Sequence, residues 1–271
     1  MLDIQKIESI ATIEQFKEHY FAQTTAPLDG MWHFGFVPMS QHFGFYENNS
    51  LVGYCCINSE GYLLQYYLSP VAKISPSELF LSITQKNNHI IRSITGAFVS
   101  TAEPHFLSLC LDNAASVIVH SLMYCGTQHK AFQRSSDVTL TIATTEQLDI
   151  FIDFAVMAIG APKEWLTGYF KGLISRQELF GYWKNNQLIA SGECRKFDQY
   201  QSGYADLGII VHSNFRGKGI ATEVIRSLVS IAEKQSLIPI CSTEIDNIGA
   251  QKAISAAGLV TKHRITQIQF K

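Results

Sequence analysis

At 271 residues the chain is long enough for one large domain or two small ones, and 46% hydrophobic residues give ample material for buried cores. A formal net charge of −2 gives no electrostatic case for nucleic acid or a membrane surface as a partner, and no apolar run approaches a membrane span in length. The six cysteines form no CxxC pair and the nine histidines no HExxH, so neither a disulfide framework nor a metal site is expected.

The opening MLDIQKIESI carries acidic residues early and has no signal-peptide core, so reduced thiols and a cytoplasmic location are the expectation. In chain order, Ile13–Phe21 reads as a helix, and Phe43–Tyr46 with Leu51–Ile57 as a hairpin about Asn48-Asn49. Tyr62–Leu68 reads as a strand, Ser77–Asn87 as a helix that Pro76 starts, and Ala97–Ser100 as a strand. Ala114–Tyr124 reads as a helix and Thr127–Gln133 as a final strand of the first half. The second half opens with strand Val138–Ala143, then a helix capped by Thr145 and a helix over Pro162–Ser175. Leu179–Lys184 and Gln187–Arg195 form a second hairpin about Asn185-Asn186, and Tyr204–Val211 a strand. A helix follows over Ile220–Lys234, a strand over Pro239–Glu244, a helix over Asn247–Ala257 and a strand over His263–Phe270.

The halves repeat. Residues 43–52 read FGFYENNSLV and residues 180–189 read FGYWKNNQLI, identical at five of ten positions. A second echo pairs Phe98-Val99-Ser100-Thr101 with Ile240-Cys241-Ser242-Thr243. The expectation is two copies of one α/β unit with a mixed sheet, over 1–135 and 136–271.

Between strand Tyr204–Val211 and the helix from Ile220 lies Arg216-Gly217-Lys218-Gly219. Glycines let the backbone come close to an anion at φ > 0 without penalty, and a helix N-terminus offers unpaired N–H groups and partial positive charge. Together they make a phosphate cradle over Gly217, Lys218, Gly219, Ile220, Ala221 and Thr222, with Arg216 and Lys218 adding charge. Neither GxxxxGK[ST] nor GxGxxG is present. The corresponding stretch of the first half, Ser69 to Pro76, has no glycine and two prolines, so no cofactor loop is expected there.

The run R-x-x-G-x-A from Arg216 to Ala221, in the order strand, loop, helix, strand and Asn247-started helix, resembles the GNAT superfamily of N-acetyltransferases. That resemblance implies two tandem GNAT-like acyl-CoA N-acyltransferase folds, the second catalytic and the first without a cofactor loop. It implies acetyl-coenzyme A as co-substrate, no metal, and a small-molecule or peptide amine as acceptor, in a monomer or homodimer. It places the pantetheine arm and the oxyanion donor on the backbone of Ile209, Ile210 and Val211, and an arm contact at Asn247. An amine must lose a proton before it attacks a thioester, and the family commonly uses a carboxylate for this. Glu193, Asp206 and Glu244 are the candidates. Where many members carry a tyrosine acid for the leaving thiolate, this chain has Ile254; Tyr204 or water are the alternatives. The competing reading is a coenzyme A-binding regulatory or structural protein without turnover.

Overall fold

The computed structural model describes residues 2–84, 90–91, 93–126 and 138–271. It divides into two compact units: unit 1 is 1–122 with 263–271, and unit 2 is 123–262. This differs from the expected division at 135/136, because the last nine residues lie in unit 1.

Unit 1 begins with β1 (Leu2–Ile7), α1 (Glu14–Ala22) and a π-helical turn, Trp32–Phe36. The hairpin β2 (Gln41–Glu47) and β3 (Ser50–Ile57) follows, then β4 (Tyr62–Leu68), α2 (Pro76–Thr84) and β5 (Gly96–Ser100). Next come α3 (Pro104–Asp112) and β6 (Ala114–Cys125), whose last three residues belong to unit 2. Strands run β1-β2-β3-β4-β5, antiparallel except for the parallel β4–β5 pair. β12 (Val260–Phe270) then pairs antiparallel with β5, from Ile265 opposite Ser100 to Gln269 opposite Gly96. Gly96 is required there, since a β-carbon would run into the Ile268 carbonyl oxygen. Ile268 is wholly buried in the core around Phe45, Leu63, Phe80 and Phe106.

Two expectations fail in this region. Ala114–Tyr124 is a strand rather than a helix, consistent with the β-branched run Val117-Ile118-Val119. The helix is instead α3, just before it, with Pro104 in its first turn. Thr127–Gln133 lies outside the described residues.

Unit 2 carries β7 (Thr141–Ile142), α4 (Leu148–Ile159), α5 (Lys163–Ser175), the hairpin β8 (Leu179–Lys184) and β9 (Gln187–Lys196), and β10 (Tyr204–Val211). α6 (Ile220–Lys234), β11 (Ile238–Glu244) and α7 (Ile248–Ala256) complete it. β7 is only Thr141–Ile142, paired with Gly181 and Phe180, shorter than the strand expected over Val138–Ala143. The cap before α4 is Thr144 rather than Thr145, reciprocated by Gln147 in a capping box. The order is β11-β10-β9-β8-β7, again antiparallel except for the parallel β10–β11 pair. Val224, Ile225, Leu228, Val229 and Ala232 form the buried face of α6, as the sequence spacing requires.

The repeat holds in backbone detail. Asn48 and Asn49 take φ of 48° and 64°, and Asn185 and Asn186 take 48° and 61°. The hairpins shift register at matching places, Phe45/Tyr46 and Tyr182/Trp183. Helices α3 and α7 are both nine residues long and both follow the strand that pairs in parallel.

Candidate active site

β10 is the strand on which the site of unit 2 is laid. On one side it is paired with β9 from Ala205 to Val211. On the other it pairs with β11 only from Tyr204 to Asp206. Beyond Asp206 and Ile240 the parallel strands part, so the peptide edge of Leu207–Val211 has no partner from β11. Ile209, Ile210 and Val211 are half-buried along this opening.

The chain then turns through His212, whose ring nitrogen accepts from the Asn214 N–H at 3.2 Å, and enters the glycine loop. Gly217 and Gly219 sit at φ of 74° and 78°, and no atom lies within 4 Å of where a β-carbon would stand on either. The first helical bond of α6 runs from the Glu223 N–H to the Gly219 carbonyl. The N–H groups of Ile220, Ala221 and Thr222 therefore have no intrahelical acceptor. The two cations are engaged otherwise than expected. Arg216 donates to the carbonyls of Val211 and Ala158, and Lys218 donates to the Asn214 carbonyl over the Phe215 ring. Both cations are spent on bracing the loop from within. Glu223 in the first turn of α6 is paired with Arg226 at 2.6 Å, which offsets its repulsion of an anion.

The corresponding stretch of unit 1 is closed from within. The Glu47 carboxylate accepts from the N–H groups of Lys73, at 3.0 Å, and Ile74, at 2.9 Å. Those bonds hold the Glu47 carboxyl below its ordinary range.

Among the carboxylates, Glu193 and Asp206 come together and Glu244 does not join them. Glu193 is 6% exposed and Asp206 1%. Arg195 lies between them. Its Nη1 meets Glu193, while Nε donates to Asp206 at 2.9 Å and Nη2 closes a second contact with the same oxygen. The Tyr169 hydroxyl donates to Glu193 at 2.6 Å and accepts from Arg195 at 2.7 Å. Burial works to lower the Arg195 guanidinium, but Asp206, Tyr169 and Glu193 together push it above its usual value. Burial first, and Glu193 second, raise the Tyr169 hydroxyl. Trp165 stacks on Tyr169 with ring centres 4.7 Å apart. The cluster lies against Gly208 of β10, where a β-carbon would come within 3.0 Å of both Glu193 Oε2 and Arg195 Nη1.

Glu244 is exposed at the end of β11. Asn247 caps α7, its side chain accepting from the Ala250 N–H at 3.1 Å. Ile254 is 4% exposed, a core residue. Arg195, Tyr169 and Trp165 are the members of the site that sequence reasoning missed. The available signal was alternation, since Glu193 and Arg195 share one face of a strand.

A solved structure described as an acetyltransferase of the GNAT family from Colwellia psychrerythraea is 52% identical, covers 99% of this chain and 100% of its own, and superposes with a TM-score of 0.93. The chain belongs to the GNAT family. Two GNAT domain models match in tandem, an acetyltransferase (GNAT) domain over residues 9–127 and the acetyltransferase (GNAT) family over 150–258. A tandem GNAT protein from the clavulanic acid biosynthesis pathway shares the fold at 14% identity, with a TM-score of 0.67 and 98% of both chains covered. A GCN5-related N-acetyltransferase from Sphaerobacter thermophilus does so at 10% identity and 0.66, covering 99% of this chain and 95% of its own. No curated protein matches the sequence. The chain is thus a tandem GNAT protein with a mixed α/β fold, and the family uses acetyl-coenzyme A. No helix among the described residues is long and apolar enough to cross a membrane.

Proposed function

We propose that unit 2 is an N-acetyltransferase that moves the acetyl group of acetyl-coenzyme A directly to a primary amine. The observation that carries this reading is the open glycine loop at the end of β10 beside the edge of Leu207–Val211 that β11 leaves without a strand partner. The cradle suits a pyrophosphate, because open space beside Gly217 and Gly219 adjoins helix N–H groups that have no intrahelical acceptor. The unpaired strand edge suits the amide-bearing pantetheine arm, which can pair with it as an added strand.

The residues divide the chemistry as follows. A carboxylate of the Glu193–Arg195–Asp206 cluster takes the proton of the acceptor ammonium, and the free amine attacks the thioester carbon. Backbone N–H groups of Ile209 to Val211 receive the charge that develops on the carbonyl oxygen. The carbon–sulfur bond breaks, and the remaining proton shed by the attacking nitrogen passes through water to the thiolate, Ile254 offering no acid. Asn247 adds a contact to the arm beside its capping role. Unit 1, with Glu47 already on its loop N–H groups, takes no part in binding the cofactor. Coenzyme A binding without turnover is the second reading, favoured by Ile254 and by the pairing of both buried carboxylates with Arg195.

The test is calorimetry and radiolabelled acetyl transfer with a panel of amines. Acetyl-coenzyme A is expected to bind, to acetylate at least one amine, and to lose affinity with Gly219→Glu but not with Ser69→Ala or Lys73→Ala. Binding with no acetylation of any amine supports the second reading; equal losses from both loops move the site.

A further inference from the structure

Unit 2 carries an aromatic flank that the chemistry above leaves unused. On α5, Leu166, Phe170 and Leu173 face the core. Trp165 and Tyr169, one turn apart, lie half-buried beside that face, with ring planes 14° from parallel and centres 4.7 Å apart. With Ala161 of the preceding loop and Ile210 of β10 they pack as a half-exposed apolar rim on one core cluster. Gly208 and Ile210 alternate onto the same face of β10, opposite Glu193 and Ser191 of β9. The rim therefore starts at the Glu193 carboxylate, which accepts from the Tyr169 hydroxyl, and follows the strand whose edge β11 leaves without a partner.

Open space adjoins the rim. Gly168 and Gly172 continue the flank of Trp165 along α5, and no atom lies within 4 Å of where a β-carbon would stand on either. Glycine inside a helix is destabilising, and no packed neighbour requires it at these positions. The charges select what can lie there. In Glu193, Arg195 and Asp206 two carboxylates meet one guanidinium, an arrangement that favours a cationic visitor over an anionic one. The nearby cations are already engaged: Arg195 in that cluster, Arg216 and Lys218 on the glycine loop, and Lys163 on Asp153. An acceptor's carboxylate or phosphate thus has no counter-charge on this rim among the described residues.

We propose that, given the transferase reading above, the acceptor of unit 2 is a primary amine on an uncharged aromatic body, its ring on the Trp165–Gly168 flank of α5 and its nitrogen toward Glu193. A flat ring covers an indole and a bare helix turn without displacing a side chain, and ring–ring contact adds to the apolar area it buries. Trp165 is then a specificity-determining residue, remote from the transferred acetyl group. A Trp165 that only buttressed Tyr169 would act through Glu193, and its loss would slow every amine alike.

The experiment compares acetyl transfer by the full chain to 2-phenylethylamine, propylamine and phenylalanine. The kcat/KM for 2-phenylethylamine is expected to exceed both others about tenfold or more. Trp165→Ala raises its KM about tenfold with kcat within a few-fold and propylamine unaffected, and Trp165→Phe restores it. Gly168→Leu fills the open space and suits a helix, so it raises the same KM without loss of stability. Calorimetry of 2-phenylethylamine against the protein loaded with coenzyme A needs no turnover, and binding is expected in wild type and lost in Trp165→Ala and Gly168→Leu. Acetylation without preference for the aromatic amine, a kcat loss shared by all amines in Trp165→Ala, or no binding to the loaded wild-type protein each overturn the proposal. Trp165-dependent binding with no acetylation of any amine supports the site and overturns the transferase reading alone.

Discussion

Arg195 sets how the buried carboxylates of unit 2 behave. It links Glu193 to Asp206 and to the Tyr169 hydroxyl in one buried cluster. Glu193→Gln is expected to lower kcat roughly 10²–10⁴-fold, the range for loss of a general base, with acetyl-coenzyme A affinity within a few-fold. Asp206→Asn is the paired measurement; if it alone cripples turnover, the base is on β10, and if neither does, the exposed Glu244 or solvent takes the proton. Tyr169→Phe removes a donor that orients Glu193 and should lower kcat with acetyl-coenzyme A affinity within a few-fold; an unchanged kcat shows that this hydroxyl does not position the base. Arg195→Met leaves two buried carboxylates without their guanidinium and should cost about 3–5 kcal/mol of stability by chemical denaturation. In unit 1, two buried groups oppose each other. Burial first, then Lys17, lowers His42 to about 4, so its contribution is present above the unfolded value near 6.5 and lost as pH falls. Glu103 is raised to about 7, so stability is lost as pH rises from the unfolded carboxylate range toward 7. Over their shared range the two contributions cancel, so the denaturation midpoint of Glu103→Gln relative to wild type should grow in the variant's favour as pH rises from 5 to 7; a difference that does not change with pH shows that Glu103 contributes none of it.

At the level of elements, much of the fold was legible because hairpins and amphipathic helices are written locally. The Asn-Asn turns, β4, β10 and α6 follow from composition and period alone. The glycine loop was legible for the same reason, strand, turn and helix being contiguous. What was not legible depends on register or competition. Pro104–Asp112 and Ala114–Cys125 are adjacent apolar runs, and only the β-branched Val117-Ile118-Val119 separates strand from helix. The Arg195–Asp206 pair needs the alignment of β9 with β10, which no local pattern supplies. The turns offer a direct measurement. Asn49 and Asn186 hold φ of 64° and 61°, so Asn49→Gly and Asn186→Gly should match or exceed wild-type stability. Asn186→Val should cost about 1–2 kcal/mol in a denaturation curve, the penalty for a side chain in left-handed backbone. A neutral valine variant means the turn relaxes to another type.

At the level of the molecule, residues 263–271 belong to unit 1 although all of unit 2 lies between them and 1–122. Removing 263–271 should therefore abolish amide-exchange protection in β5, where Ile265–Gln269 pair, while β9 and β10 keep theirs. Equal loss in both units would mean that the halves unfold as one cooperative body. The strand also imposes an order of events during synthesis. A ribosome emits 1–122 first, yet the edge of β5 and the core contact at Ile268 stay without their partner until unit 2 has been made and has cleared the exit tunnel. Unit 1 thus stays incomplete while unit 2 is made, and throughout that interval a nascent chain presents an open strand edge to whatever chaperone or neighbouring polypeptide arrives before residues 263–271.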